Sequence, residues 1–295
     1  MNSQQSDCLK RALTCWPEVR LYFERSYQLP LPRHLAVFSA LLDSLSPAQR
    51  QGLERLGLAP MGVTRWFREG ALRRQLLPGL DARMDGRFRR DPPEFVTILS
   101  GESDGLHFGL WYDECNRLPQ QLAYNWARDD GVTHLSPEPT LIQLIRQRIA
   151  TYPEDVGEPA GPELEALDEA ARAFSEADAE AWSEVGFSPV LRGPDGLAGP
   201  GGVPSCPHRP DREDLYRALA RGDLGVEEWR KRALAGQPEL ALALGRDLHW
   251  YDGPYREIAR ELLVYAHRQL NREPLAEIVE VHHRFRDLAQ VQAWA

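Results

Sequence analysis

A chain of 295 residues, 42% hydrophobic and 27% charged, is long enough for two ordinary domains that each bury a core without disulfides or metals. No apolar run approaches the roughly 20 residues of a membrane-spanning helix, and the polar start Met1 to Asp7 lacks a signal-peptide pattern, so a cytoplasmic protein is expected. The net charge of −9 excludes a general nucleic-acid binder, and four scattered cysteines with no C-x-x-C pair argue against a disulfide framework or structural zinc.

The segment from Cys8 to Arg20 is too interrupted to assign. Leu35, Val37, Phe38, Leu41, Leu42 and Leu45 then recur at helical spacing within Pro32 to Leu45. Ser46 as N-cap and Pro47 at the first helical position start a short second helix running toward Leu56, before Gly57. Leu56 to Val63 reads as a turn with a short strand. From Arg65 to Arg90, eight arginines accumulate against Glu69, Asp81 and Asp85. A solvated face is the plain reading of that stretch, and an anion or acidic-partner site the sharper one.

Phe95 to Leu99 and Leu106 to Tyr112 are rich in β-branched and aromatic residues and flank a Ser/Gly/Asp turn, which predicts a hairpin spanning 95–112. Pro92-Pro93 fixes where pairing begins, because proline cannot donate to a ladder. His107 lies in the second strand, where a satisfied, half-buried histidine is the commoner outcome. A hydrolase or transferase built on His107, Asp113 and nearby arginines is the weaker alternative. Leu122 to Trp126 reads as a further strand, and Pro139 to Ala150 as a helix ended by Tyr152-Pro153.

Glu163 to Glu184 predicts an acidic, alanine-rich, exposed helix. Gly and Pro fill 8 of the 12 positions from 193 to 204, which predicts a long loop. Five helical stretches follow: Asp211 to Arg221, Val226 to Ala235, Pro238 to Trp250, Pro254 to Leu270 and Glu273 to Leu288. The expected fold is α+β, with an N-terminal antiparallel sheet and flanking helices over 1–155 and an all-helical domain over 156–295. His282-His283 reads as a pair of exposed helix histidines, since neighbours on a helix point about 100° apart and cannot easily share an ion. Cys206-Pro207-His208 is short of ligands, so no metal is expected.

The block Asp91-Pro92-Pro93-Glu94-Phe95, followed by H-x-G-x-x-x-D at His107, Gly109 and Asp113, resembles the histone PARylation factor family. Leu244-Gly245-Arg246-Asp247-Leu248, the stretch Tyr265 to Arg272 and Leu275 to Glu280 extend the resemblance, with a weaker match over Leu167 to Arg172. It implies an accessory protein that binds an ADP-ribosyltransferase or polymerase-like partner, with no cofactor of its own and no stand-alone activity. In that family a glutamate ahead of L-G-x-D-L completes the partner's active site and takes the proton of a serine hydroxyl.

Counting back without gaps from Gly245 places Ala235 at that glutamate, and the nearest carboxylate is Glu239. First-turn stabilisation of a helix is the plain reading of Glu239. His208-Arg209 is the counterpart of the family's tyrosine-arginine pair and is expected to contact the partner. Only Lys10 and Lys231 among 35 basic residues are lysine, which fits a GC-rich, bacterial genome. An interaction or immunity-type protein on the same fold, without a link to ADP-ribosylation, is the rival reading.

Overall fold

The computed structural model describes residues 1–68, 70–73, 79–186 and 212–288. Its first helix, α1 (Ser3–Tyr27), runs through the segment that could not be assigned from sequence. Asn2 and Gln5 close a capping box at its start, and Cys8, Ala12, Val19, Phe23 and Tyr27 supply the buried stripe. Pro17 sits inside it. Proline interrupts a helix by removing one hydrogen bond, and here the buried face outweighs that loss.

The next two helices follow expectation: α2 (His34–Ser44), then α3 (Pro47–Arg55) capped by Ser46 with Gln49. Five antiparallel strands then form one sheet in sequence order: β1 (Ala59–Pro60), β2 (Phe95–Ser100), β3 (Leu106–Trp111), β4 (Gln121–Trp126) and β5 (Thr133–Leu135). The expected hairpin pairs Phe95 with Trp111 and Ser100 with His107, with a bulge between Thr97 and Leu99.

Val96, Ile98, Phe108, Leu110 and Leu122 join the core formed by the first helices. Phe95, Trp111 and Ala123 form a separate cluster on the other face. The sheet is therefore buried on both sides, which explains the continuous apolar runs of its strands. A Cβ at Gly109 would come within 2.5 Å of the Phe95 ring, so only glycine fits there.

Beyond the sheet, α4 (Leu141–Val156) continues past the expected stop at Tyr152-Pro153 and ends at Gly157, in the left-handed conformation at φ 76°. Pro153 lies within the last turn, where little helix remains to disturb, and the Gly157 N–H caps the Pro153 carbonyl at 3.1 Å. The acidic helix α5 (Pro162–Ser183) is exposed on one face only. Leu164, Leu167, Ala170, Ala171 and Phe174 on its other face belong to the first core. Position 155/156 lies in the last turn of α4, which packs on α5.

Five helices complete the described chain: α6 (Arg212–Arg221), α7 (Val226–Leu234), α8 (Pro238–Tyr251), α9 (Arg256–Gln269) and α10 (Glu273–Phe285). They bury a second core around Leu242, Leu248, Leu262 and Leu263. Gly245 lets α8 and α9 approach closely, since a Cβ there would meet the Leu263 side chain at 2.9 Å. Leu275 and Ile278 of α10 reach back into the first core. The fold is α+β, as expected. The loop expected over 193–204 lies outside the described residues.

Candidate functional site

The Asp91 to Phe95 block forms a seam between the sheet and the C-terminal helices. Pro92 turns the chain so that its carbonyl accepts the Phe95 N–H at 3.0 Å, which brings Asp91 and Glu94 to one end of β2. Both are fully buried. A buried carboxylate persists only when charges or donors compensate its lost hydration, and each carboxylate here has a dedicated set.

Asp91 accepts the Phe88 N–H at 2.8 Å through one oxygen and contacts His107 Nε2 at 2.8 Å through the other. The opposite ring nitrogen, Nδ1, faces the Gly105 carbonyl at 2.7 Å. Each nitrogen therefore faces an oxygen, and making both hydrogen bonds requires one proton more than a neutral imidazole and a carboxylate carry. The ring stacks on Phe88 at 4.1 Å and meets Phe95 edge-on at 5.0 Å. Expected to be half-buried, His107 is completely enclosed and satisfied.

Arg87 shows why the basic stretch is not simply a solvated face. Its guanidinium is 2% exposed and donates to the carbonyls of Pro92 at 2.9 Å and Phe95 at 2.5 Å. Burial pushes its pKa down. Arg65 pairs with Asp85, and Arg83 pairs with Asp81 at 2.9 Å and Glu277 at 3.0 Å. Arg89 and Arg286 converge on Asp252. Four of the eight arginines of that stretch, Arg65, Arg83, Arg87 and Arg89, are thus held by internal partners.

From the helical side, Arg246 of α8 donates to Glu94 at 2.5 Å, and His267 Nε2 of α9 lies 3.5 Å from the same oxygen. Burial raises the Glu94 carboxyl, but Arg246 and then His267 outweigh it and bring it down to about 2. Burial lowers His267 to about 4 and His249 to about 4. His249 Nε2 donates to the Asp91 carbonyl at 3.0 Å, and its ring meets His282 edge-on at 5.2 Å.

His282, expected to be exposed, is 2% exposed, because α10 turns it into the seam. Burial takes it well below the usual histidine range. His283 stays on the outer side, 3.1 Å from Glu257. Trp250 Nε1 donates to the Asp130 carbonyl at 2.6 Å, and Arg246 lies over the Trp111 ring at 5.6 Å. Asp113 accepts from Trp111 Nε1 at 3.0 Å, and burial raises its pKa.

The chemistry-bearing side chains of the hairpin block are thus engaged with one another. A hydrolase needs a group free to reach substrate, and His107 has no exposed surface. Among the described residues, no group of three or more His, Cys, Asp or Glu side chains is arranged to hold a metal.

The other end of α8 is different. Ala235 is exposed at the C-cap of α7, and Gly236, at φ 103°, turns the chain into Gln237 and Pro238. Glu239 is exposed in the first turn of α8, and no described residue pairs with its carboxylate. Seven residues separate it from Arg246, about 10 Å along the helix axis. His208 and Arg209 lie outside the described residues.

Residues 18–156, from α1 through α4, match the family model for Histone PARylation factor 1. Over 321 aligned positions the chain is 25% identical to Histone PARylation factor 1 of Bos taurus, covering 93% of this chain and 90% of that protein. The chain is similar to the histone PARylation factors over both its sheet and its helical half. The stretches that carry the likeness meet in space: Glu94 of the first pairs with Arg246 of L-G-x-D-L and lies 3.5 Å from His267 of the Tyr265 to Arg272 stretch. Sequence reasoning named these stretches but not their pairing. The signal was present in two carboxylates beside a rigid Pro-Pro step, which must find cations if buried.

Proposed function

We propose that this chain, similar to the histone PARylation factors, is an accessory protein, which binds an ADP-ribosyltransferase-type partner and modulates serine ADP-ribosylation. The reading rests on one observation: the likeness runs through 93% of the chain and 90% of the relative, so it includes both the sheet and the helical half. A serine hydroxyl is a weak nucleophile at neutral pH, and its transfer chemistry calls for a carboxylate within hydrogen-bond reach. Ala235 cannot accept a proton. Glu239 is the nearest carboxylate able to act in its place, and its exposure in the first turn of α8 leaves it accessible to a second protein.

Partner binding is the primary role in this proposal, with any donated base secondary. His208, Arg209 and the acidic outer face of α5 are the proposed contacts. The protein works in the bacterial cytoplasm and takes no cofactor. No described helix is long and apolar enough to cross a membrane.

The test is capture of interacting proteins from the native host, followed by a serine ADP-ribosylation assay with and without this chain. Co-purification of a transferase and a change in serine modification are expected. Loss of that change in Glu239→Ala identifies the donated base; retention confines the role to binding. Capture of a partner without any effect on ADP-ribosylation returns the chain to the class of interaction or immunity proteins.

A further inference from the structure

A second surface lies in the N-terminal half, away from the seam. A cleft of about 580 Å³ opens between α1, α2, α3, β1 and the 3-10 turn over Gly62–Phe67. That volume falls within the roughly 300–1,000 Å³ of ordinary ligand sites. Its floor is apolar, made by the buried side chains of Leu42, Leu45, Leu53 and Leu58.

Its rim carries charge. Arg11 of α1, Arg50 of α3 and Arg68 after the 3-10 turn are exposed and converge on the cleft from three separate segments. No carboxylate of the described residues lies within ion-pair distance of any of them, whereas Arg65, Arg83 and Arg89 are all paired. Arg11 donates only to the Cys8 sulfur at 3.1 Å, and Arg50 Nε to the Leu45 carbonyl at 3.1 Å. Both guanidinium groups therefore keep N–H donors for a ligand. Ser39 also lines the cleft; it is 5% exposed, and no described residue hydrogen-bonds its hydroxyl. Asp43 and Glu54 complete the rim, so the local balance is three guanidinium groups to two carboxylates in a chain whose net charge is −9.

An apolar floor inside a charged, open rim is the anatomy of a peptide-recognition patch rather than of a closed small-molecule pocket. We propose that this cleft binds an acidic segment of a partner protein, with an apolar anchor seated on the leucine floor and flanking carboxylates held by Arg11, Arg50 and Arg68. Arginine suits this role because its planar fork pairs with a carboxylate through two parallel hydrogen bonds. The proposal stands apart from the accessory reading and uses none of its residues.

Fluorescence anisotropy with the full-length protein and a fluorescein-labelled hexapeptide, Asp-Asp-Leu-Phe-Glu-Glu, tests it. Saturable binding is expected, weakened by salt and reduced about tenfold or more in the triple variant Arg11→Gln, Arg50→Gln, Arg68→Gln. These side chains are exposed, so the variant should keep the wild-type circular dichroism and melting temperature. A peptide with Gly-Gly in place of Leu-Phe, and one with lysine at all four acidic positions, should each fail to bind. Absence of saturable binding, equal binding by the triple variant, or equal binding of the Gly-Gly peptide overturns the proposal. So does displacement of the peptide by inorganic phosphate at a concentration equal to that of the peptide, which would mark a small-anion site. Serine modification that persists while this binding fails leaves the accessory reading intact.

Discussion

The two ends of α8 behave as different materials. Its C-terminal half, from Arg246 to Tyr251, is bound into the seam by a buried ion pair, a histidine–carbonyl bond and an indole–carbonyl bond. Its N-terminal turn, around Glu239, is exposed and unpaired among the described residues. Burial converts acids and bases into fasteners whose charges are spent on one another; exposure leaves a carboxylate available to another molecule. The family resemblance is carried most clearly by the fastened end, whereas the carboxylate proposed as a donated base lies at the open end.

The largest effect that tests this contrast is removal of a fastener. Glu94→Ala leaves Arg246 without its carboxylate and should cost about 3–5 kcal/mol in urea unfolding, the usual penalty for stranding a buried charge. A loss below about 1 kcal/mol would place Glu94 outside the group of stabilising buried pairs.

Acid should act on the same seam. An unfolded imidazole takes its proton near 6.5, while His249 and His267 in the folded protein remain neutral until about 4. Between these values the unfolded chain binds more protons, so stability falls as pH drops through that window, by on the order of a few kcal/mol in total. Denaturant midpoints measured from pH 7 to 4 should show the fall, and His267→Asn should flatten it; an unchanged slope contradicts the assignment.

Asp178 of α5 provides the opposite sign away from the seam. It is 1% exposed, accepts the Thr140 hydroxyl at 2.5 Å, and burial raises it to about 6. The folded state holds its proton more tightly than the unfolded state, so the contribution is favourable at low pH and is lost as pH rises through about 6. Asp178→Asn keeps an acceptor for Thr140 without the charge and should raise stability at pH 8 by about 1–3 kcal/mol, with the gain vanishing below about pH 4. Thermal melts at both pH values measure it. The smallest expected effect is at the open end: Glu239→Ala should change stability by no more than about 0.5 kcal/mol, since it touches no described partner.

Most of the fold was legible because it rests on local chemistry. Ser46-Pro47 marked a helix start, Pro92-Pro93 marked the hairpin, and apolar spacing marked the C-terminal helices. Three features were not legible, each for a tertiary reason. The helix through Pro17 is held by a buried face whose partners are remote in sequence. α5 looked exposed because its charges outnumber its leucines, although one stripe suffices to join the core. His282 looked exposed because the seam that covers it is assembled from α8, α10 and the segment before β2. For the candidate site, the sequence identified the separate stretches but not that Glu94, Arg246 and His267 meet, and it selected Glu239 by position rather than by any constraint on its side chain.

The central claim is that the Asp91 to Phe95 block fastens the helical half to the sheet instead of performing chemistry. Hydrogen–deuterium exchange on Glu94→Gln tests it most directly, because the glutamine keeps the volume while removing the charge held by Arg246. The account predicts faster exchange in both β2 and the α8–α9 pair, with α1 to α3 unchanged. Exchange unchanged from wild type, or altered only in the turn between β2 and β3, would contradict it.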